Sequence, residues 1–232
     1  MRLLLPTFLL VFFSHLVLGQ EKTVLFSDAI KTNIKKYNKD SNNSFENGDI
    51  AQGQALFDSL VQNHLVGSRF DDYTFKSVNG KKVKLSKIGK PVFIITYSSW
   101  CVINRGEIAA LYKLARTYED QIQFIVVFWD TKSNMKRIGK QFNAGLKVCY
   151  ANESYRNDAT AVATLKHTLG FPTSYFLNSE LEVVDIKRGG ISIPVRTPSR
   201  KAMEMNYAVF NERLVNFLGK SDQNQIAATT DD

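Results

Sequence analysis

The spacing of apolar residues changes period several times along the chain, and each change predicts an element. Residues 91–97 (PVFIITY) and 122–129 (IQFIVVFW) are near-continuous apolar runs rich in β-branched and aromatic side chains, as in strands covered on both faces. LKVCYA at 146–151 reads as a third such strand. Between them, Ile108, Leu111, Tyr112 and Ala115 recur at helical spacing, and a shorter helix fits Met135 to Phe142. A helix over Ala159 to Leu169 follows, then TSYFL and EVVDI as adjacent strands across an Asn-Ser-Glu turn. Strand and helix alternating, then a hairpin, predicts an α/β sheet that is parallel in its centre with an antiparallel edge.

The flanks have their own signals. Ahead of the first buried run, TFKSVNGKKVKL places Asn79-Gly80 between alternating segments, a hairpin signature. Earlier still, Ile50, Leu56, Leu60, Val61 and Leu65 fall at helical spacing behind Asp49, a candidate N-cap. A short helix is expected near Ser27 to Tyr37, with KDSNNSFENGD as a linker. Towards the C-terminus, Tyr207, Phe210, Leu214 and Phe217 stripe a helix over Met203 to Leu218, and SDQNQIAATTDD reads as a frayed tail. The expected organisation is therefore an N-terminal segment at 1–19, a helical extension and linker at 20–65, an α/β domain with its closing helix at 66–219, and a disordered tail at 220–232. No internal repeat is visible.

Residues 1–19 combine an early Arg2, an apolar run from Leu3 to Phe13 and a small residue, Gly19, with Val17 three positions from the cut. This is the pattern of an export signal; Pro6, Ser14 and His15 interrupt it as a membrane span. It predicts a periplasmic or secreted protein without stable membrane insertion after cleavage, in an oxidising compartment. Asn42 and Asn152 stand in Asn-x-Ser sequons.

Composition narrows the class. The chain has 232 residues, of which 44% are hydrophobic, with 5 prolines and 13 glycines, enough for a real core and too regular for a disordered or collagen-like chain. Its 2 cysteines exclude a disulfide-stapled scaffold. Without Arg2, 29 Lys and Arg stand against 22 Asp and Glu, leaving +7. The base is spread over Lys31, Lys35, Lys36 and Lys39, then Lys81, Lys82 and Lys84, then Lys187, Arg188, Arg196, Arg200 and Lys201. With no continuous basic helix and no nucleic-acid motif, this implies solubility and a weak affinity for anionic surfaces, and argues against nucleic-acid binding.

The candidate chemistry centres on YSSWCVINRGEIAAL. Cys101 follows a buried strand and precedes helical spacing, where an open α/β sheet gathers its chemistry. A helix N-terminus there would stabilise a thiolate. A lone cysteine also serves as a small buried hydrophobe. Glu107 is either a carboxylate acting on that thiol and its proton or a solvated helix residue. Cys149, inside a predicted strand, is either core or a distant resolving partner. His64 and His167 have no metal-ligand spacing with the cysteines, so neither a metal nor a cofactor is expected. Asp130 reads as a cap of the following helix, and Tyr97, Trp100, Phe171 and Tyr175 as either groove lining or core.

LVGSRFDDYTF, KPVFIITYSSWC and GFPTSYFLNSELEVV, in register over about Val66 to Gly190, resemble thioredoxin-like proteins of the TlpA and ResA type. The resemblance implies a thioredoxin-like fold and thiol-disulfide chemistry on protein or peptide partners. In it Cys101 is the attacking cysteine, Trp100 its flank, and Pro172 a cis-proline whose neighbours Phe171 and Thr173 bind substrate backbone. Two departures matter. The family's second thiol would stand at 104, where this chain has Asn104, so an external reductant must release any mixed disulfide. The buried acid six residues before the cysteine is replaced by Ile95. By this resemblance Asn104 donates a hydrogen bond to the thiolate and Glu107 matches the carboxylate of a Cys-x-x-Cys-x-x-Glu pattern. A peroxidase variant is poorly served: Ser98 has the right type, but Ile94 stands where proline is expected. The resulting expectation is monothiol exchange or redox sensing through Cys101, against a catalytically degenerate fold that binds peptides or proteins.

Overall fold

A computed structural model describes residues 23–230 apart from 102, 139–141 and 143–144. The segment expected to be an export signal lies outside the described residues. Among those described, seven strands form one sheet: β1 (Thr74–Ser77), β2 (Lys82–Lys84), β3 (Val92–Tyr97), β4 (Gln123–Phe128), β5 (Lys147–Tyr150), β6 (Thr173–Leu177) and β7 (Val183–Arg188). Their order is β2-β1-β5-β4-β3-β6-β7. β3, β4 and β5 are parallel, while β1 and β2 on one side and β6 and β7 on the other are antiparallel. The predicted parallel centre and both hairpins are thus present.

All six side chains of β3 are buried, because helices cover both faces of the sheet. The alternation of the strand sorts them. Val92 and Ile94, with Ile125, Val127 and Cys149, face α1 (Phe26–Glu46), α2 (Ile50–Leu60) and α5 (159–169, with a π-turn at Val162–Lys166). Phe93, Ile95 and Tyr97, with Phe124, Val126 and Phe128, face α3 (Glu107–Thr117), α4 (Lys132–Ile138) and α6 (Ser199–Thr230).

The N-terminal extension shares the first of these cores. α1 runs through the residues expected to be a linker and ends in a Schellman motif: Asp49 N–H donates to Ser44 O and Gly48, at φ +70°, donates to Phe45 O. Asp49 then caps α2 as its position suggested, accepting from Gln52 N–H at 2.8 Å. Packing of Tyr37 and Phe57 between the two helices, rather than the weak propensity of Ser and Asn, carries the extra turns. At its other end α1 is held by Asp71, whose carboxylate accepts from Ser27 N–H at 2.9 Å and Ser27 Oγ at 2.7 Å. Phe26 is fully buried, 5.0 Å from the Phe70 ring and 6.1 Å from Tyr175.

Two further expectations change. The helix predicted from Met135 to Phe142 begins earlier, α4 being described over Lys132–Ile138, with 139–141 outside the described residues. The closing helix is longer than Met203 to Leu218 and takes in the residues read as a frayed tail, up to Thr230. No helix among the described residues is long and apolar enough to cross a membrane.

Phe26→Ala is expected to cost about 3–5 kcal/mol and Asp71→Ala about 1 kcal/mol, both read as lowered urea midpoints. A Phe26→Ala midpoint equal to that of the parent would mean that the extension is not part of the cooperative core.

Candidate active site

The C-terminal ends of β3 and β4 and the start of β6 lie side by side, since β3 pairs with both neighbours up to Tyr97↔Phe128 and Thr96↔Thr173. The chain leaves β3 in a tight turn. Cys101 N–H donates to Ser98 O at 2.9 Å, and Ser98 N–H donates back to Cys101 Sγ at 3.3 Å. Asp130, two residues after β4, fixes this turn from the side: its carboxylate accepts from Ser99 N–H at 2.6 Å and from Ser99 Oγ at 2.7 Å. The turn projects Trp100 outwards at 74% exposure and leaves Cys101 half-buried.

Facing the turn is the loop before β6, where the Phe171-Pro172 bond is cis. The Trp100 and Phe171 rings meet edge to face at 5.2 Å. The Thr96 hydroxyl bridges the two segments, accepting from Thr173 N–H and donating to Thr173 O, both at 3.2 Å. Thr173 itself is fully buried, and its hydroxyl turns back to Gly170 O at 3.0 Å. It therefore shapes the loop, and Phe171 and Pro172 form its half-buried surface. Among the described residues, no backbone hydrogen bond engages Phe171.

The local structure corrects the expected source of thiol activation. Cys101 does not begin a helix; α3 starts only at Glu107, after Gly106 at φ +80°. Burial pushes the Cys101 thiol up, the charges of Asp130 and Glu107 push the same way, and the Ser98 amide opposes them. Asn104 does not supply the expected bond to sulfur either: its amide donates to Ile191 O, and its N–H donates to Glu107 Oε2 at 3.1 Å.

Glu107 is no solvated helix residue. It is 2% exposed and accepts from the Tyr97 hydroxyl. Burial pushes its carboxyl up, against the Tyr97 and Asn104 hydrogen bonds and the charge of Arg213. Tyr97 and Tyr175 are core on opposite faces of the sheet, so only Trp100 and Phe171 of the four aromatic candidates line the surface. Ile95 is likewise ordinary core.

Cys149 is fully buried in the layer under α1 and α2, whereas Cys101 packs against the layer under α3 and α6. The two thiols are both free and are not brought together. Burial pushes Cys149 up to about 12. His64 and His167 are exposed, and among the described residues no cluster of metal-ligating side chains forms. Asp130 is the residue that sequence reasoning misplaced. It grips Ser99 and accepts from the Asn134 amide at 3.3 Å, rather than capping the α4 backbone. The available signal was its place at the end of a buried strand next to the one carrying Cys101.

No protein-family model matches the sequence. Over 139 residues the chain is 24% identical to the thioredoxin-like protein YneN of Bacillus subtilis, covering 60% of this chain and 76% of that one. A solution structure from Bacteroides thetaiotaomicron, described as a candidate protein disulfide isomerase, superposes with a TM-score of 0.51 at 16% identity over 69% of this chain and 94% of that one. A candidate thiol:disulfide interchange protein DsbE from Chlorobium tepidum gives a TM-score of 0.49 at 19% identity, over 66% and 97%. The fold is thioredoxin-like. In this thioredoxin-like chain the extension α1–α2 and the segment after β7 are built around that shared sheet.

Alkylation of Cys101 is expected to be slow near neutral pH and to rise at a pH above that of an ordinary thiol. Glu107→Gln and Asp130→Asn each remove a nearby negative charge and should speed it several-fold near neutral pH. Mass spectrometry after pulses of alkylating agent reads both, with Cys149 unmodified until the protein unfolds. A slower Glu107→Gln would reverse the assigned sign of that charge.

Proposed function

We propose that this is an exported thioredoxin-like protein that engages protein or peptide partners at the surface formed by Trp100, Cys101 and the Phe171-Pro172 loop, and exchanges disulfides through Cys101 alone. The observation that carries the reading is the juxtaposition of a half-buried free thiol with a cis-proline loop, joined by the Trp100–Phe171 contact. The unused backbone of Phe171 suits β-addition of an extended peptide. Its relatives by fold include a candidate protein disulfide isomerase. Export rests on the pattern of residues 1–19.

In exchange, the Cys101 thiolate attacks one sulfur of a partner disulfide. A Cys101–partner disulfide forms, and the other partner sulfur leaves as a thiolate. With Asn104 in place of a second thiol and Cys149 on the other sheet face, release requires an external thiol to attack that mixed disulfide, returning Cys101 reduced. Asp130 and Ser99 hold the turn, and Asn104 and Glu107 hold its far end. The carboxyl of Glu107 is placed to set the charge state that the thiol meets.

The raised thiol favours a second reading, in which the same surface binds partners without exchange. The two separate on one variant. In the exchange reading, Cys101→Ser abolishes covalent capture of a cysteine-containing peptide activated as a mixed disulfide. Trp100→Ala should slow that capture about tenfold or more by removing an exposed aromatic anchor. Capture unaffected by Cys101→Ser would defeat the exchange reading, and non-covalent binding that survives in Cys101→Ala without any wild-type capture would establish the other.

A further inference from the structure

The segment following β7 borders the proposed site along one side. Gly189 N–H donates to Pro172 O at 2.9 Å, so the segment leaves from the cis-proline loop. The Asn104 amide then donates to Ile191 O, and Arg105 Nη1 donates to Thr197 O at 3.3 Å. α6 begins at Ser199, and Asn206 reaches from it to Arg105 O at 3.1 Å. Gly106 is pressed so closely against Ala202 and Met203 that a Cβ there would collide with their backbone. The position where the family places its second thiol has thus become a tether for this border.

The border carries one sign of charge. From Ile186 to Met203 the sequence holds Lys187, Arg188, Arg196, Arg200 and Lys201 and no acidic residue. Lys187 is paired with Asp185 at 3.4 Å and Arg200 with Glu204 at 3.1 Å. Arg105, Arg188, Arg196 and Lys201 are exposed, and among the described residues none of them forms a salt bridge. Arg188 lies opposite Thr173 in the sheet register, beside the cis-proline, with its guanidinium over the Phe57 ring at 4.4 Å. At the other end the Arg105 guanidinium is tied to the carbonyl of Thr197, the residue that follows Arg196 in the chain. Of the acids in the neighbourhood, Glu107 and Asp130 are buried and already hydrogen-bonded, while Asp185 and Glu204 are held by Lys187 and Arg200.

From this charge complementarity we infer that the partner engaged at the Cys101 surface is an acidic peptide segment, with Asp or Glu flanking the cysteine that meets Cys101. This rests on the proposed function for the site, and it adds the class of partner. Opposed charge around a docking surface acts mainly on encounter and selection, and salt weakens it.

The test uses two synthetic peptides of equal length, each with one cysteine activated as an aromatic disulfide and flanked by Asp and Glu in one and by Lys in the other. Cys101 attack forms the Cys101–peptide disulfide and expels the aromatic thiolate, whose absorbance gives the rate. At low ionic strength the acidic peptide should react about tenfold or more faster, and the ratio should shrink as salt is raised. Arg196→Gln with Lys201→Gln should bring the ratio towards one, each protein being referenced to its own rate with a small neutral disulfide. Equal rates for the two peptides, or a ratio indifferent to salt and to the substitutions, would overturn the inference. If no disulfide reacts at Cys101, the exchange reading fails by itself. Fluorescence titration of Cys101→Ser with the reduced peptides then decides the charge preference separately: acidic-selective binding upholds it and equal binding overturns it.

Discussion

The pairing of Thr96 with Thr173 is the constraint on which the candidate site depends. The hydroxyl of Thr96 satisfies both the N–H and the carbonyl of Thr173, in a position where both residues are fully buried. Unpaired backbone groups there would carry the full cost of desolvation. That fixes the end of β3 against the first residue of β6. The two loops that leave this point, one with Cys101 and one with cis-Pro172, then have little freedom to separate. Everything proposed for the surface follows from their meeting at Trp100 and Phe171.

Around the thiol, geometry and charge pull in different directions. The turn from Ser98 to Cys101 offers the sulfur one backbone amide, while burial and two carboxylates disfavour its ionisation. Both carboxylates have structural duties: Asp130 holds Ser99, and Glu107 joins Tyr97 to the amide of Asn104. A thiol restrained in this way is unsuited to indiscriminate reaction, which is consistent with a site that depends on docking before chemistry. The ion pairs on the surface contribute little to folding. Their arrangement matters more for what can approach.

The additions to the shared sheet have complementary roles. α1 and α2 complete the core on the face that also buries Cys149, so the extension and sheet stand together. The segment from Gly189 and the start of α6 lie against the cysteine turn, tied to Asn104, Arg105 and Gly106.

Much of this was legible in the chain itself. Continuous apolar runs fixed β3, β4 and β5, because a strand covered on both faces has no polar side to show. Asn79-Gly80 marked its hairpin and Asp49 its cap, each through a local stereochemical preference, while the Phe171-Pro172-Thr173 loop came from the resemblance to thioredoxin-like proteins. What tertiary structure alone decided were matters of distant partners. α1 outran its expected end because Tyr37 found Phe57 across the α2 interface. Glu107 became buried because Tyr97 and α6 close over it. Cys101 lost its helix because Gly106 defers the start of α3. Cys149 faces away from Cys101 because its place in the alternation of β5 points it under α1 and α2. Periodicity records which side of an element is covered, but the identity of the covering group, and hence the charge around a sulfur, belongs to residues far away in sequence.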